Sequence, residues 1–157
     1  MVNNSLSRDI IQQADDFFEA YRRCTHGKNP KKDESGRLCF SVVNVPAIVN
    51  AAFSCELYFK SIIGNNAKGH ALKKLFEQLD TDTQNYLREK INNEFSKNRL
   101  FDFDVCLEHI SNAFVEWRYI YEESHTEGFY GCYTNEFLIF FNLFLPLLKD
   151  LAHKKRG

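Results

Sequence analysis

The sequence predicts an all-α fold, and three observations carry that prediction. Apolar residues recur at steps of three and four in segment after segment, the period of one face of a helix. Only one short stretch alternates as a strand would. Hydrophobic residues fill 44% of the 157 positions and aromatic residues 15%, enough to bury the core of one domain over residues 1–157. The expected architecture is an antiparallel bundle of roughly five to six helices.

The first helix is expected after Ser7, a good N-cap, with Ile10, Ala14, Phe17 and Tyr21 as its inward stripe and an end between Cys24 and Gly27. From Gly27 to Arg37, "GKNPKKDESGR" has the chemistry of a solvated loop. "LCFSVVNV" reads as extended but lacks an evident partner. Pro46 suits the first turn of a second helix, where its missing N–H costs nothing; that helix runs to about Ile63 with Ile48, Ala52, Cys55, Phe59 and Ile62 inward.

"GNNAKGH" breaks the chain, and a short helix then presents Leu72, Leu75, Phe76 and Leu79. Thr81 and Gln84 fit a capping box for a fourth helix carrying Leu87, Ile91 and Phe95, with Asp82 favourable to its dipole. A fifth, from about Asp102 to Glu122, carries Phe103, Leu107, Ile110, Phe114, Trp117 and Tyr121. The loop "SHTEGFYGCY" separates it from a last helix capped by Thr134, with Glu136 as first-turn acid and the basic tail His153, Lys154, Lys155 and Arg156 complementing its carbonyl end.

Charge and cysteine usage narrow the function classes. Twenty basic against twenty-one acidic residues give a net charge of −1, so any nucleic-acid contact must be local. Five cysteines, odd in number and without CxxC spacing, read as reduced core residues of a cytoplasmic protein. The start "MVNNSLSRDI" lacks the apolar run of a secretion signal. "FLIFFNLFLPLL", Phe137 to Leu148, is shorter than the roughly 20 residues a bilayer requires and contains Pro146, so no membrane association is expected.

Few local patterns carry chemistry. Gly64 and Gly69 have phosphate-loop separation, but His70 stands where lysine is needed and a helix, not a strand, precedes them. The histidines His26, His70, His109, His125 and His153 are scattered, H-E-x-x-H and G-x-S-x-G are absent, and neither metal nor cofactor is expected. Glu56 and Lys60, four apart, read first as a surface ion pair and second as a buried, functional glutamate. In "WRYIYEESH", Arg118 and His125 would share a helix face about 10 Å apart. Arginine can grip phosphate and histidine can carry a proton near neutrality. By spacing alone the plainer alternative is favoured: Arg118 pairs with Glu122, and His125 sits near the helix's carbonyl end.

Three stretches taken together, "NAAFSCELYFKSII", "KGHALKKLFEQL" and "NAFVEWRYIYE", resemble the HEPN superfamily of small prokaryotic helical domains over roughly Pro46 to Leu148. The resemblance implies a helical bundle acting as a homodimer, in toxin–antitoxin or antiphage-defence systems with an antitoxin or another partner protein. It also implies a metal-independent ribonuclease whose arginine and histidine, here Arg118 and His125, form the active site across the dimer. Tyr119, where the family often has a polar residue, Glu122 and the basic Lys154, Lys155 and Arg156 are the expected substrate-binding groups, with Lys28, Lys31 and Lys32 as further candidates for guiding RNA. The alternative it implies is a non-catalytic module that binds RNA, a nucleotide or a partner protein. A third reading gives the last helix, through Phe137, Phe140, Phe141 and Phe144, the role of docking a partner.

Overall fold

The computed structural model of the chain describes residues 3–25, 31–32, 34–35, 38–39, 44–98, 102–118 and 127–157. Among these are seven helices: α1 (Asn3–Thr25), α2 (Asn44–Ile63), α3 (Leu72–Phe76), α4 (Thr81–Asn98), α5 (Phe103–Ile110), α6 (Ala113–Glu116) and α7 (Glu127–Arg156). Lys31–Lys32 (β1) and Leu38–Cys39 (β2) form a two-stranded antiparallel pair, Lys31 opposite Cys39. The partner missing from the sequence reading of "LCFSVVNV" therefore lies inside the stretch expected to be loop.

The architecture is the all-helical bundle expected, and the buried side chains form one cluster. Its centre is a stack of rings from four helices: Phe140 and Phe144 of α7 meet Phe103 of α5 at 5.8 and 5.5 Å between centroids, Phe76 of α3 meets Phe103 at 5.0 Å, and Phe59 of α2 meets Phe144 at 5.8 Å. Such edge and tilted contacts add to the area each ring buries. Phe137, Phe140, Phe141 and Phe144 are all essentially inaccessible, so these rings are core and cannot be the docking surface one reading gave them.

Polar ties fix how α1 lies against α2 and α7. Ser54 Oγ donates to the Ala14 carbonyl at 2.8 Å, and Tyr21 Oη bonds Asn142 Oδ1 at 2.7 Å. Asp15 collects three donors: Tyr58 Oη at 2.5 Å from α2, with His153 Nε2 at 3.0 Å and Lys149 Nζ at 3.4 Å from α7. Contacts near residue 15 pair with residue 153 and those near residue 21 with residue 142, so α1 runs antiparallel to α7.

Several helix ends differ from the sequence expectation. Ser7 does not cap α1, which is already helical from Asn3; "NNSLS" offers several good caps, and local preference does not select among them. The α4 cap is Asp80, not Thr81: its carboxylate accepts the Thr83 N–H at 2.9 Å and the Thr83 hydroxyl at 2.8 Å. Gln84 instead donates to the Leu79 carbonyl at 2.8 Å. The last helix starts at Glu127, so Thr134 is internal and Glu136 lies beyond the first turn. Gly128 and Gly131 in this stretch each cost a helix only about 1 kcal/mol relative to alanine, so they do not prevent it.

The expected long fifth helix is broken. α5 stops at Ile110 and α6 begins at Ala113, followed by a 3₁₀ turn at 117–118. The break has a physical cause at Ser111, whose backbone carbonyl accepts the Leu72 N–H at 2.9 Å and whose Oγ accepts the Lys73 N–H at 3.0 Å. These N–H groups are orphans at the start of α3, where Ala71 has no capping side chain. Ser111 thus acts as the cap of a helix distant in sequence, and its carbonyl is turned out of its own helix.

Candidate functional site

The break at Ser111 opens a small cleft between α2, the start of α3 and the start of α6. Its space, about 30 Å³, suits a water molecule or a single small polar group rather than a whole nucleotide. Glu56, His70, Ser111, Asn112 and Phe114 are among its walls.

Glu56 is placed by α2, whose apolar face is otherwise core, and is only 2% exposed. The Glu56–Lys60 pair expected from the spacing forms at 2.7 Å, but its carboxylate is buried instead of lying on the helix surface. His70 joins it, with Nδ1 at 2.7 Å from the same oxygen, Oε1. The second oxygen, Oε2, is buried and finds no hydrogen-bond partner among the described residues. A buried carboxylate oxygen left unbonded costs roughly 1–3 kcal/mol, and Glu56 lines a cleft with room for one water or small polar group to meet it.

The loop carrying His70 is built to deliver it. Gly64 ends α2 in the left-handed region (φ 89°), with its N–H donating to the Lys60 carbonyl at 2.9 Å. Gln78 clamps the loop through both ends of its amide, accepting from the Lys68 N–H at 2.9 Å and donating to the Lys68 carbonyl at 2.8 Å. Gly69, also left-handed at φ 87°, then turns the chain so that His70 meets Glu56. The His70 side chain stays 77% exposed while its Nδ1 is tethered.

The tether fixes the tautomer. Nδ1 faces Oε1 at 2.7 Å and the Lys60 ammonium at 3.4 Å; the carboxylate only accepts, and its much shorter contact puts the hydrogen on Nδ1, which in the neutral ring leaves Nε2 with the lone pair. The Lys60 ammonium, bonded to Oε1 and 24% exposed, balances the carboxylate charge. The three groups together make a carboxylate-oriented imidazole with its acceptor nitrogen directed away from the buried acid.

Arg118 lies beside this cleft. Its side chain is exposed, and its guanidinium carbon stands 5.1 Å from the centroid of Phe114, one of the cleft walls. Phe114 is backed by Phe53 of α2 at 4.6 Å, and Phe53 by Phe17 of α1 at 4.5 Å. A planar cation over an aromatic face gains an attraction to the ring that helps hold it in place.

The other expected site residues divide into two groups. Tyr119, Glu122 and His125 lie outside the described residues, as does Lys28, so the Arg118–His125 pairing is not displayed. Lys154, Lys155 and Arg156 are exposed at the end of α7. Lys155 Nζ donates to the Ile62 carbonyl at 2.6 Å, making it a cap for α2. Ile62 is nine residues from Phe53, about 14 Å along the helix axis, so Lys155 is held at a different level of the bundle from Arg118.

Sequence reasoning missed His70, Ser111 and Asn112. Glu56 was visible because its partner Lys60 lies one turn away. His70 is fourteen residues from Glu56, and only the left-handed turns at Gly64 and Gly69 bring it back. Those two glycines in "GNNAKGH" were the available signal. Among the described residues, no group of three or more His, Cys, Asp or Glu side chains could hold a metal ion, and no helix is long and apolar enough to cross a membrane. Comparison with known protein families, with curated proteins and with solved structures finds no match for the chain.

Proposed function

We propose that the chain is a HEPN-like, metal-independent endoribonuclease, with Arg118 as the phosphate-binding group. One observation carries the reading: an exposed guanidinium is laid over Phe114 at the edge of the cleft that holds a carboxylate-tethered histidine. Guanidinium binds a phosphodiester through paired N–H donors and stabilises the charge that gathers on phosphorus during in-line attack. The attacking group is the neighbouring ribose 2′-hydroxyl, so a proton carrier suffices and no metal is needed. The resemblance makes His125 a proton carrier of the site, and it sets the protein as a homodimeric effector of a toxin–antitoxin or defence system.

The test compares wild type with Arg118→Ala on a single-stranded RNA in the presence of EDTA. Cleavage by wild type and a loss of about a hundredfold or more in the variant are expected, the size typical when a group stabilising transition-state charge is removed. An equal rate in the variant contradicts the assignment. RNA bound by wild type but never cut favours the binding module instead.

A further inference from the structure

We infer that His70, oriented by Glu56, is a proton-transfer residue of this site. This deepens the ribonuclease reading and rests on it. Neither residue was singled out for catalysis by the Arg-and-His spacing, and the assignment comes from geometry alone.

Four observations converge. The imidazole is 77% exposed, yet its Nδ1 is fixed at 2.7 Å from a carboxylate that is itself 2% exposed. Among the described residues no hydrogen bond engages Nε2, the nitrogen that accepts a proton in this tautomer. Glu56 lines a cleft sized for one small polar group, and its Oε2 is buried without a partner among the described residues. Phe114 lines that cleft and also carries the Arg118 guanidinium, so the phosphate-binding group and the imidazole belong to one locality.

A purely structural tether explains less. It would account for Nδ1 on Oε1, but not for a ring left 77% exposed with Nε2 unengaged among the described residues. Nor does the loop depend on His70 alone, because Gln78 already clamps it at Lys68.

In the inferred step, His70 Nε2 removes the proton of the ribose 2′-hydroxyl as that oxygen attacks the adjacent phosphorus. The bond from phosphorus to the 5′ oxygen breaks, and the departing oxygen takes a proton from water. The products are a 2′,3′-cyclic phosphate and a 5′-hydroxyl, and His70 returns its proton to solvent. Glu56 acts through His70, as a positioning residue.

The experiment measures RNA cleavage by wild type, His70→Ala and Glu56→Gln, with melting temperature recorded for each. His70→Ala should lose about a hundredfold or more in rate, the usual contribution of a general base, without a matching fall in melting temperature, because the side chain is mostly exposed. Added imidazole should restore part of that rate, an effect that a structural role would not produce. Glu56→Gln should lower kcat more than it raises KM. Wild-type cleavage with an undiminished His70→Ala rate overturns the inference while leaving the ribonuclease reading intact. A wild type that does not cleave RNA overturns both.

Discussion

Replacing Glu56 by leucine separates a residue kept for use from one kept for stability. The substitution removes two charge-assisted hydrogen bonds, from Lys60 and His70, each worth a net of roughly 1.5–3 kcal/mol. It also removes the unsatisfied Oε2, relieving about 1–3 kcal/mol, and fills a nearly inaccessible position with an apolar side chain whose burial is worth roughly 1.5–3 kcal/mol. Losses and gains nearly cancel. The abandoned donors matter little, because Lys60 is 24% exposed and His70 is 77% exposed, so both can turn to water. Truncating one partner of a fully buried pair would instead cost about 3–5 kcal/mol. Urea unfolding of Glu56→Leu should therefore give a stability within about 2 kcal/mol of wild type. RNA cleavage should be lost. A destabilisation of more than about 4 kcal/mol would refute the reasoning, since it would make Glu56 a keystone of the fold.

Two further perturbations test other parts of the structure. Burial would raise the Asp15 carboxyl, but the hydrogen bonds from Tyr58 and His153 and the charge of Lys149 outweigh it and hold the group below its ordinary range. Stability from ionised Asp15 is thus fully present above the unfolded value of about 3.9 and is lost as pH falls through the lower folded value. Tyr58→Phe should cost about 1–2 kcal/mol at pH 7, measured by urea unfolding, with the difference shrinking in acid; a pH-independent difference would contradict the assignment. Gly64→Ala and Gly69→Ala both force alanine to a φ near +90° in otherwise open space, so each should cost a similar 1–2 kcal/mol or so in thermal unfolding. Both should also depress RNA cleavage, Gly69→Ala the more because it adjoins His70, and undiminished activity in the two variants would count against the loop's role in delivering His70.

Helix faces were legible in the sequence because burial and period coincide. Ile48, Ala52, Cys55, Phe59 and Ile62 were expected inward from spacing and are buried, as are Leu72, Leu75, Phe76 and Leu79 on the next helix and Leu87, Ile91 and Phe95 on α4. Phe103, Leu107, Ile110 and Trp117 were read as one continuous stripe and are also buried, yet they lie on either side of the break at Ser111. An apolar stripe records which side faces the core. It does not record that a serine carbonyl is needed elsewhere, as the cap of α3. Helix ends were missed for a related reason: at Asp80 and Thr81 two capping residues are adjacent, and the difference between them is too small to read locally.

The candidate site was half legible. The Glu56–Lys60 pair followed from residue type and spacing, whereas Arg118 became a candidate only through the family resemblance, spacing alone favouring its plainer role. Their association with His70 and Phe114 depends on two left-handed glycines and on the broken helix, neither of which leaves a periodic trace. Lys155 makes a contact across the bundle that no spacing indicated. The sequence read this lysine as complementing the end of its own helix, and the resemblance as a substrate-binding group, whereas its ammonium also meets the open carbonyl end of α2.

The central claim is that this cleft cuts RNA by ribose chemistry, and end-group analysis tests it most directly. A synthetic oligonucleotide is incubated with the protein in EDTA beside a copy carrying a single 2′-deoxy sugar at the cut position, and the products are weighed by mass spectrometry. The account predicts a 2′,3′-cyclic phosphate and a 5′-hydroxyl from the first and no cut at that position in the second. Cleavage that persists at the deoxy position, or that vanishes with EDTA and returns with a divalent metal, would contradict it.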